Sequence, residues 1–340
     1  MNSMKARYLF AIVAAGISAF HFQRAIAASE LAERDAITEA TKRSLLSDDF
    51  DALESASVAY RREKSRTPSG LWKLTVFYAG IDEAIGQCTK GRDPAIAFLP
   101  FEEKTKKWVE AYPASPTAYI AQSMVLSLRA WAYRGCGYAD TVTEEGWVGF
   151  RQYISAARTI LEEHKAIAAV DPQWYDEMLI IAKAQGWELA PFNELLDEAL
   201  DREPQFYQTY FSALEYLLPK WGGSAEEIED FAQDAATRTQ DREGQGMYAR
   251  LYWFASQTQF KNDIFNNSLV NWSQMKAGFD DVIRRYPDAW NLNNYARFAC
   301  LARDKPKTIE LLKRIEASVV PEAWVPLSLK QECAHWAAQP

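Results

Sequence analysis

Helix-period patterning runs through almost all of this sequence, and one junction recurs between the helical stretches. A polar or aromatic residue precedes a proline, and an aromatic stands three positions after that proline. The copies are Asp171-Pro172 with Tyr175, Glu203-Pro204 with Tyr207, and Tyr286-Pro287 with Trp290. Tyr112-Pro113 is a fourth copy that lacks the aromatic. Proline closes one helix and is tolerated in the first turn of the next, where its missing N–H costs nothing. The aromatic then packs back on the helix before it. Two copies lie 32 residues apart, near the period of about 34 that marks tetratricopeptide (TPR) repeats. The other intervals, 59 and 83, are irregular. The expected fold is all-α: an irregular array of TPR-like helical hairpins, either an α-solenoid or a compact α-α superhelix.

The period places helices at 29–47, 49–65, 70–86, 94–111, 115–133, 143–168, 172–186, 190–202, 205–218, 225–239, 243–259, 270–285, 290–303, 306–318 and 326–337. In 205–218, Tyr207, Tyr210, Phe211, Leu214, Leu217 and Leu218 form one apolar stripe. The turns have chemical causes. Ser224 and Glu227 have capping-box spacing after Gly222-Gly223. Asp304 before Pro306 and Thr143 before Glu144-Glu145 are further start signals. The least regular segment, 260–270, reads as a longer loop with room for one helical turn.

The N-terminus reads as an export signal. Lys5 and Arg7 precede an uncharged apolar run from Tyr8 to Phe20, and Ala25-x-Ala27 fits a small-residue cleavage site. The run of about 13 residues falls short of the roughly 20 that span a bilayer. Cleavage is therefore expected after Ala27, leaving residues 28–340 as one helical domain in the periplasm or outside the cell, with no stable membrane insertion. The alternative is an uncleaved anchor.

Composition excludes several partners. Formal net charge is −8, and losing Lys5, Arg7 and Arg24 with the leader makes it −11. An acidic chain repels phosphate backbones, so nucleic acid is not an expected partner. The basic stretches Arg61-Arg62-Glu63-Lys64 and Lys104-Thr105-Lys106-Lys107 fall on solvated helix faces. Cys88, Cys136, Cys300 and Cys333 permit disulfides in an exported chain. The favoured pairing is Cys88–Cys136 and Cys300–Cys333, each joining neighbouring helices. Buried free thiols are the alternative, above all for the first pair. No C-x-x-C occurs, and neither His164 nor His335 belongs to a ligand motif, so neither a metal nor a cofactor is expected. There is no P-loop and no dinucleotide fingerprint. No catalytic residue stands out.

Two candidate features remain. Arg250 lies within Tyr248-Ala249-Arg250-Leu251-Tyr252-Trp253 and, with Trp131, Arg134, Trp221 and Asn294, could form a polar-aromatic groove. The competing reading packs these aromatics in the core and pairs Arg250 with a carboxylate. Glu215, on the aromatic helix 205–218, is the carboxylate of most interest for paired acid–base chemistry. Its bland reading is a solvated or ion-paired glutamate.

Six short motifs bring the chain close to a known group. PSGLW at 68–72, AWAYRGCGYA at 130–139, LPKWGGS at 218–224, YARLYW at 248–253, YPDAW at 286–290 and FAC at 298–300 resemble a bacterial family of unknown function with TPR-like helices. The resemblance spans about 40–305. It implies a bacterial, envelope-located protein and brings no catalytic residues with it. The leading expectation is non-enzymatic binding of a protein or peptide partner on a concave surface. The alternative is a cell-envelope glycan-binding or glycan-processing protein using a carboxylate-aromatic cleft, which requires Trp131, Trp221 and Trp253 to be accessible.

Overall fold

Capping chemistry sets the helix starts. In the computed structural model, which describes residues 29–86, 92–135 and 137–340, Ser224 and Glu227 form a full capping box. Asp171 caps the amide of Gln173, Asp304 that of Lys307 and Thr143 that of Gly146. The resulting helices are α1 (Glu30–Leu46), α2 (Phe50–Glu63), α3 (Lys73–Ile85), α4 (Pro94–Ala97), α5 (Leu99–Ala111), α6 (Pro116–Arg134), α7 (Glu144–Glu163), α8 (Lys165–Ala168) and α9 (Pro172–Gln185). After these come α10 (Leu189–Arg202), α11 (Tyr207–Tyr216), α12 (Ala225–Glu243), α13 (Gly246–Ala255), α14 (Ile264–Asn267), α15 (Trp272–Arg285), α16 (Ala289–Leu301), α17 (Lys305–Arg314) and α18 (Ser328–Ala338). Among the described residues there is no strand, only an isolated Arg66–Trp72 bridge. The fold is all-α. No helix among them is long and apolar enough to cross a membrane.

Each Pro junction falls between two helices, but only Pro172 lies in a first helical turn; Pro113, Pro204 and Pro287 stand two or three residues ahead of theirs. The incomplete fourth copy shares a bond with the second. The hydroxyl of Tyr119 donates to the Pro113 carbonyl, as that of Tyr210 does to the Pro204 carbonyl, each at 3.0 Å. The expected loop at 260–270 carries a 3₁₀ turn, Lys261–Asp263, followed by the single turn α14.

Two kinds of helix alternate along the chain. In α13 nine of ten residues are buried, and α3, α6, α9, α11 and α16 are buried over most of their surface. By contrast α12 buries six of nineteen, and α2, α5, α10 and α15 bury a single stripe. A helix buried all round is an inner helix, and a one-stripe helix is an outer one. Helices next to one another in sequence pack on one another, and α1 also meets α16. The array therefore closes back on itself, its first helix meeting α16.

The segment between α2 and α3 makes that closure. Arg250 and Asn291 donate to the Ser69 carbonyl at 2.6 and 3.2 Å. The Arg66 guanidinium donates to the Gln205 carbonyl at 3.1 Å and lies 4.4 Å over the Tyr207 ring. The fully buried Glu30 accepts from the Ser69 amide and the Thr67 hydroxyl at 2.7 and 3.0 Å. Gly70 has φ +97°, and a Cβ there would sit 2.7 Å from Tyr286. Only glycine fits a turn pressed so close to its neighbour. At the other edge Cys300 and Cys333 form a disulfide between α16 and α18, with Cα atoms 5.8 Å apart. The proposed Cys88–Cys136 bridge and the leader with its cleavage site lie outside the described residues.

Candidate functional site

Four cavities follow one another along the inner helices and share walls. The largest, about 660 Å³, is bounded by Trp131, Arg134, Trp147, Phe150 and Trp221. A second, about 410 Å³, shares Trp131, Arg134 and Trp221 and adds Asp82, Ser127, Glu177, Lys183 and Glu215. A third, about 210 Å³, shares Asp82 and Glu177 and adds Tyr78, Gln173 and Asp176. Gln208 lines this one and a fourth, about 200 Å³, which includes Arg34, Arg250, Trp253 and Trp290. The result is a groove running over α6, α9, α11 and α13.

The second cavity has a buried acidic floor. Glu177, 4% exposed, is hydrogen-bonded to the Ser127 hydroxyl at 2.5 Å. Burial pushes its carboxyl up to about 8; Asp176 and Asp82 add to the rise, and the Ser127 bond opposes it. Asp176 beside it is raised by burial to about 6, against hydrogen bonds from Ser212 and Gln173. Glu215 goes the other way. Burial raises it, but the neighbouring charges of Lys183 and Lys220 outweigh that and hold it below its ordinary value. Lys183 is ion-paired with Glu215, yet burial still lowers its ammonium. At neutral pH Glu177 is thus a protonated acid and Glu215 an ionised carboxylate on one cavity.

Tryptophans form the ledge above this floor. Trp131 and Trp221 meet edge to face, with ring centroids 6.0 Å apart. Lys183 lies 4.9 Å over Trp221, and Arg134 lies 5.4 Å over Trp131 and 5.6 Å over Trp147. Gly222, with φ +98°, makes the turn that leaves Trp221 37% exposed. Trp131 is half-buried and Trp253 is buried, so two of the three aromatics named for a glycan cleft are accessible.

The structure brings Trp131, Arg134, Glu215 and Trp221 together on the second cavity. Arg250 is on the fourth cavity, and it meets a carbonyl instead of the carboxylate anticipated for it. Asn294 joins neither: it is buried and donates within its own helix to the Trp290 carbonyl at 2.9 Å. His164 is stacked on Tyr119, with centroids 3.9 Å apart, and is not on an open face. Sequence reading missed Asp176, Glu177 and Lys183. Their signal was available, because three charged residues interrupt a helix whose other residues, Gln173 and Gln185 apart, are apolar or aromatic. Among the described residues no group of three His, Cys, Asp or Glu is placed to hold a metal ion.

No protein-family model matches the chain, and neither the curated proteins nor the solved structures contain a match.

Proposed function

We propose that this is an exported, non-enzymatic binding protein of the cell envelope whose groove takes an extended peptide or protein segment. The observation that carries this reading is the continuity of the four cavities along the inner helices. An extended chain needs a long, shallow track with aromatic ledges and isolated polar anchors, and the groove has all three. The kinship with the uncharacterised bacterial family remains part of the proposal. In its favour, the motifs that suggest it supply groove residues: Trp131 and Arg134, Trp221, Arg250 and Trp253, and Trp290. Export and the bacterial envelope are inferred from the leader and from that kinship.

The test is peptide display selection on the full chain, followed by titration of the selected peptides. Trp131→Ala and Trp221→Ala should each weaken binding at least tenfold, as loss of an aromatic anchor does. Trp336→Ala, at the far end beneath Arg303, should leave it unchanged. Failure to enrich any peptide, or enrichment of peptides indifferent to both groove substitutions, would sink the reading.

One observation favours a second reading. Glu177 and Glu215 line one cavity beside two tryptophans, with the first carboxyl raised by burial and the second lowered by Lys183 and Lys220, the division of protonation that glycan hydrolysis uses. Cleavage of a chitooligosaccharide that Glu177→Gln abolishes would replace the binding reading with this one.

A further inference from the structure

The fourth cavity differs in kind from the rest of the groove. No acidic residue lines it. Its charged groups are both cationic, Arg34 and Arg250, and its other polar groups are neutral: Ser69, Gln208, Gln257 and the indoles of Trp253 and Trp290. Among the described residues the Arg250 Nε and the Trp253 Nε1, both buried, find no hydrogen-bond partner. A buried donor left unpaired loses its hydration with no bond in return, so such groups call for a cause.

The charges are also unequal. Arg34 is neutralised by Glu30. Among the described residues Arg250 makes no ion pair; it donates to the Ser69 carbonyl and lies 5.3 and 5.5 Å over the rings of Tyr207 and Tyr286. Glu243 is hydrogen-bonded to the Tyr286 hydroxyl and does not line the cavity. One uncompensated cation in a space that no acidic residue lines suits a monoanion better than a phosphate dianion. Guanidinium is the group that recognises a planar carboxylate.

The walls supply the rest. Phe211 and Phe254 stack with centroids 5.1 Å apart, and Trp290 lies opposite Arg34. A cavity of about 200 Å³ holds one side chain and little more. The closing segment supplies Ser69 and Leu71 to its lining, where the groove meets the contact between α1 and α16.

We propose that this cavity captures the terminal carboxylate of a peptide whose last side chain is apolar or aromatic. The proposal rests on the peptide-binding reading of the groove and adds direction to it: the ligand lies with its C-terminus at Arg250 and its upstream residues toward Glu177 and Trp221.

The experiment uses N-acetyl-L-phenylalanine and its amide as small probes of the full chain, followed by ligand-observed NMR and Trp fluorescence. The acid should bind at least tenfold tighter than the amide. Arg250→Lys should weaken the acid about tenfold and leave the amide unchanged. Arg250 helps hold the closing segment, so Gln257→Glu serves as the second variant. It adds a negative charge to the wall and should weaken the acid by tenfold or more, again sparing the amide. Equal binding of acid and amide, or no binding of either, overturns the proposal. Display-selected peptides separate the two ideas: peptides that bind equally well after C-terminal amidation overturn the carboxylate site and leave the groove reading standing. Failure to select peptides overturns the groove reading, and the acid–amide ratio then judges the cavity alone.

Discussion

The two ends of the groove bury charge in opposite ways. At one end Glu177 escapes its own charge by holding a proton, and Glu215 keeps its charge by pairing with Lys183. At the other end Arg250 keeps its charge with no carboxylate, supported by a carbonyl and two ring faces. The difference follows from what each side chain can do. A carboxyl can neutralise itself for the cost of a raised pKa, whereas a guanidinium stays charged at any ordinary pH. The acidic end is therefore sensitive to pH and the arginine end is not.

The sharpest way to break the acidic end is through its scaffold. Asp171 is fully buried at the start of α9 and accepts from Arg61 at 2.7 Å and the Tyr78 hydroxyl at 2.9 Å. It pins α2 and α3 to the helix that carries Asp176, Glu177 and Lys183. Asp171→Ala strands a cation and a hydroxyl, for an expected loss of about 3–5 kcal/mol. Urea unfolding at pH 7 measures it. A loss under about 1 kcal/mol would mean that the floor is held by packing alone.

Local chemistry explains what the sequence made legible and what it did not. Helix positions follow from caps and prolines, which act within a few residues, so α12 starts at its Ser224–Glu227 box as expected. The meeting of Trp131, Arg134, Trp221 and Glu215 was half legible: Trp131 and Arg134 end an aromatic helix, Glu215 lies on another and Trp221 precedes a glycine turn, but their convergence depends on how α6, α9 and α11 stack. The closing segment was illegible, because the bond from Arg250 to Ser69 spans 181 residues. Nothing local in Pro68-Ser69-Gly70 names its distant partner. Asn294 shows the converse: a polar residue among aromatics looked like a site, and its amide only bonds back along its own helix.

Titration sharpens the contrast between the ends with an effect of comparable size. Glu177 goes from an ordinary 4.5 to about 8 on folding. The folded state holds that proton more tightly, so the stability it contributes is fully present below pH 4.5 and is lost as pH rises through 8. The slope approaches 1.4 kcal/mol per pH unit at its steepest. Glu177→Gln removes the ionising group, and its unfolding free energy should fall by about 4 kcal/mol less than that of the parent between pH 5 and pH 9. Asp176, raised to about 6, leaves a residual slope at the acid side of that window. Arg250→Gln, which introduces no titratable group, should leave the shape of the pH profile untouched. Parallel profiles for the parent and Glu177→Gln would show that Glu177 ionises freely in the folded protein.

The smallest expected effect separates the floor from its rim. Glu215 has two cationic neighbours of different depth. Lys183 is almost wholly buried, whereas Lys220 is 37% exposed at the side chain, with its ammonium 3.4 Å from Glu215. An exposed pair of that kind contributes at most about 0.5 kcal/mol, because water screens it and a long side chain must be ordered to form it. Lys220→Ala should therefore change stability by less than that amount, and 0.5 M salt should erase even this difference. Lys183→Met should cost several-fold more, because it leaves the Glu215 carboxylate with only its exposed partner. If the two substitutions cost the same, the groove floor is as wet as its rim. The raised carboxyls of Glu177 and Asp176 would then lose their physical cause, and the pH contrast between the two ends would go with them.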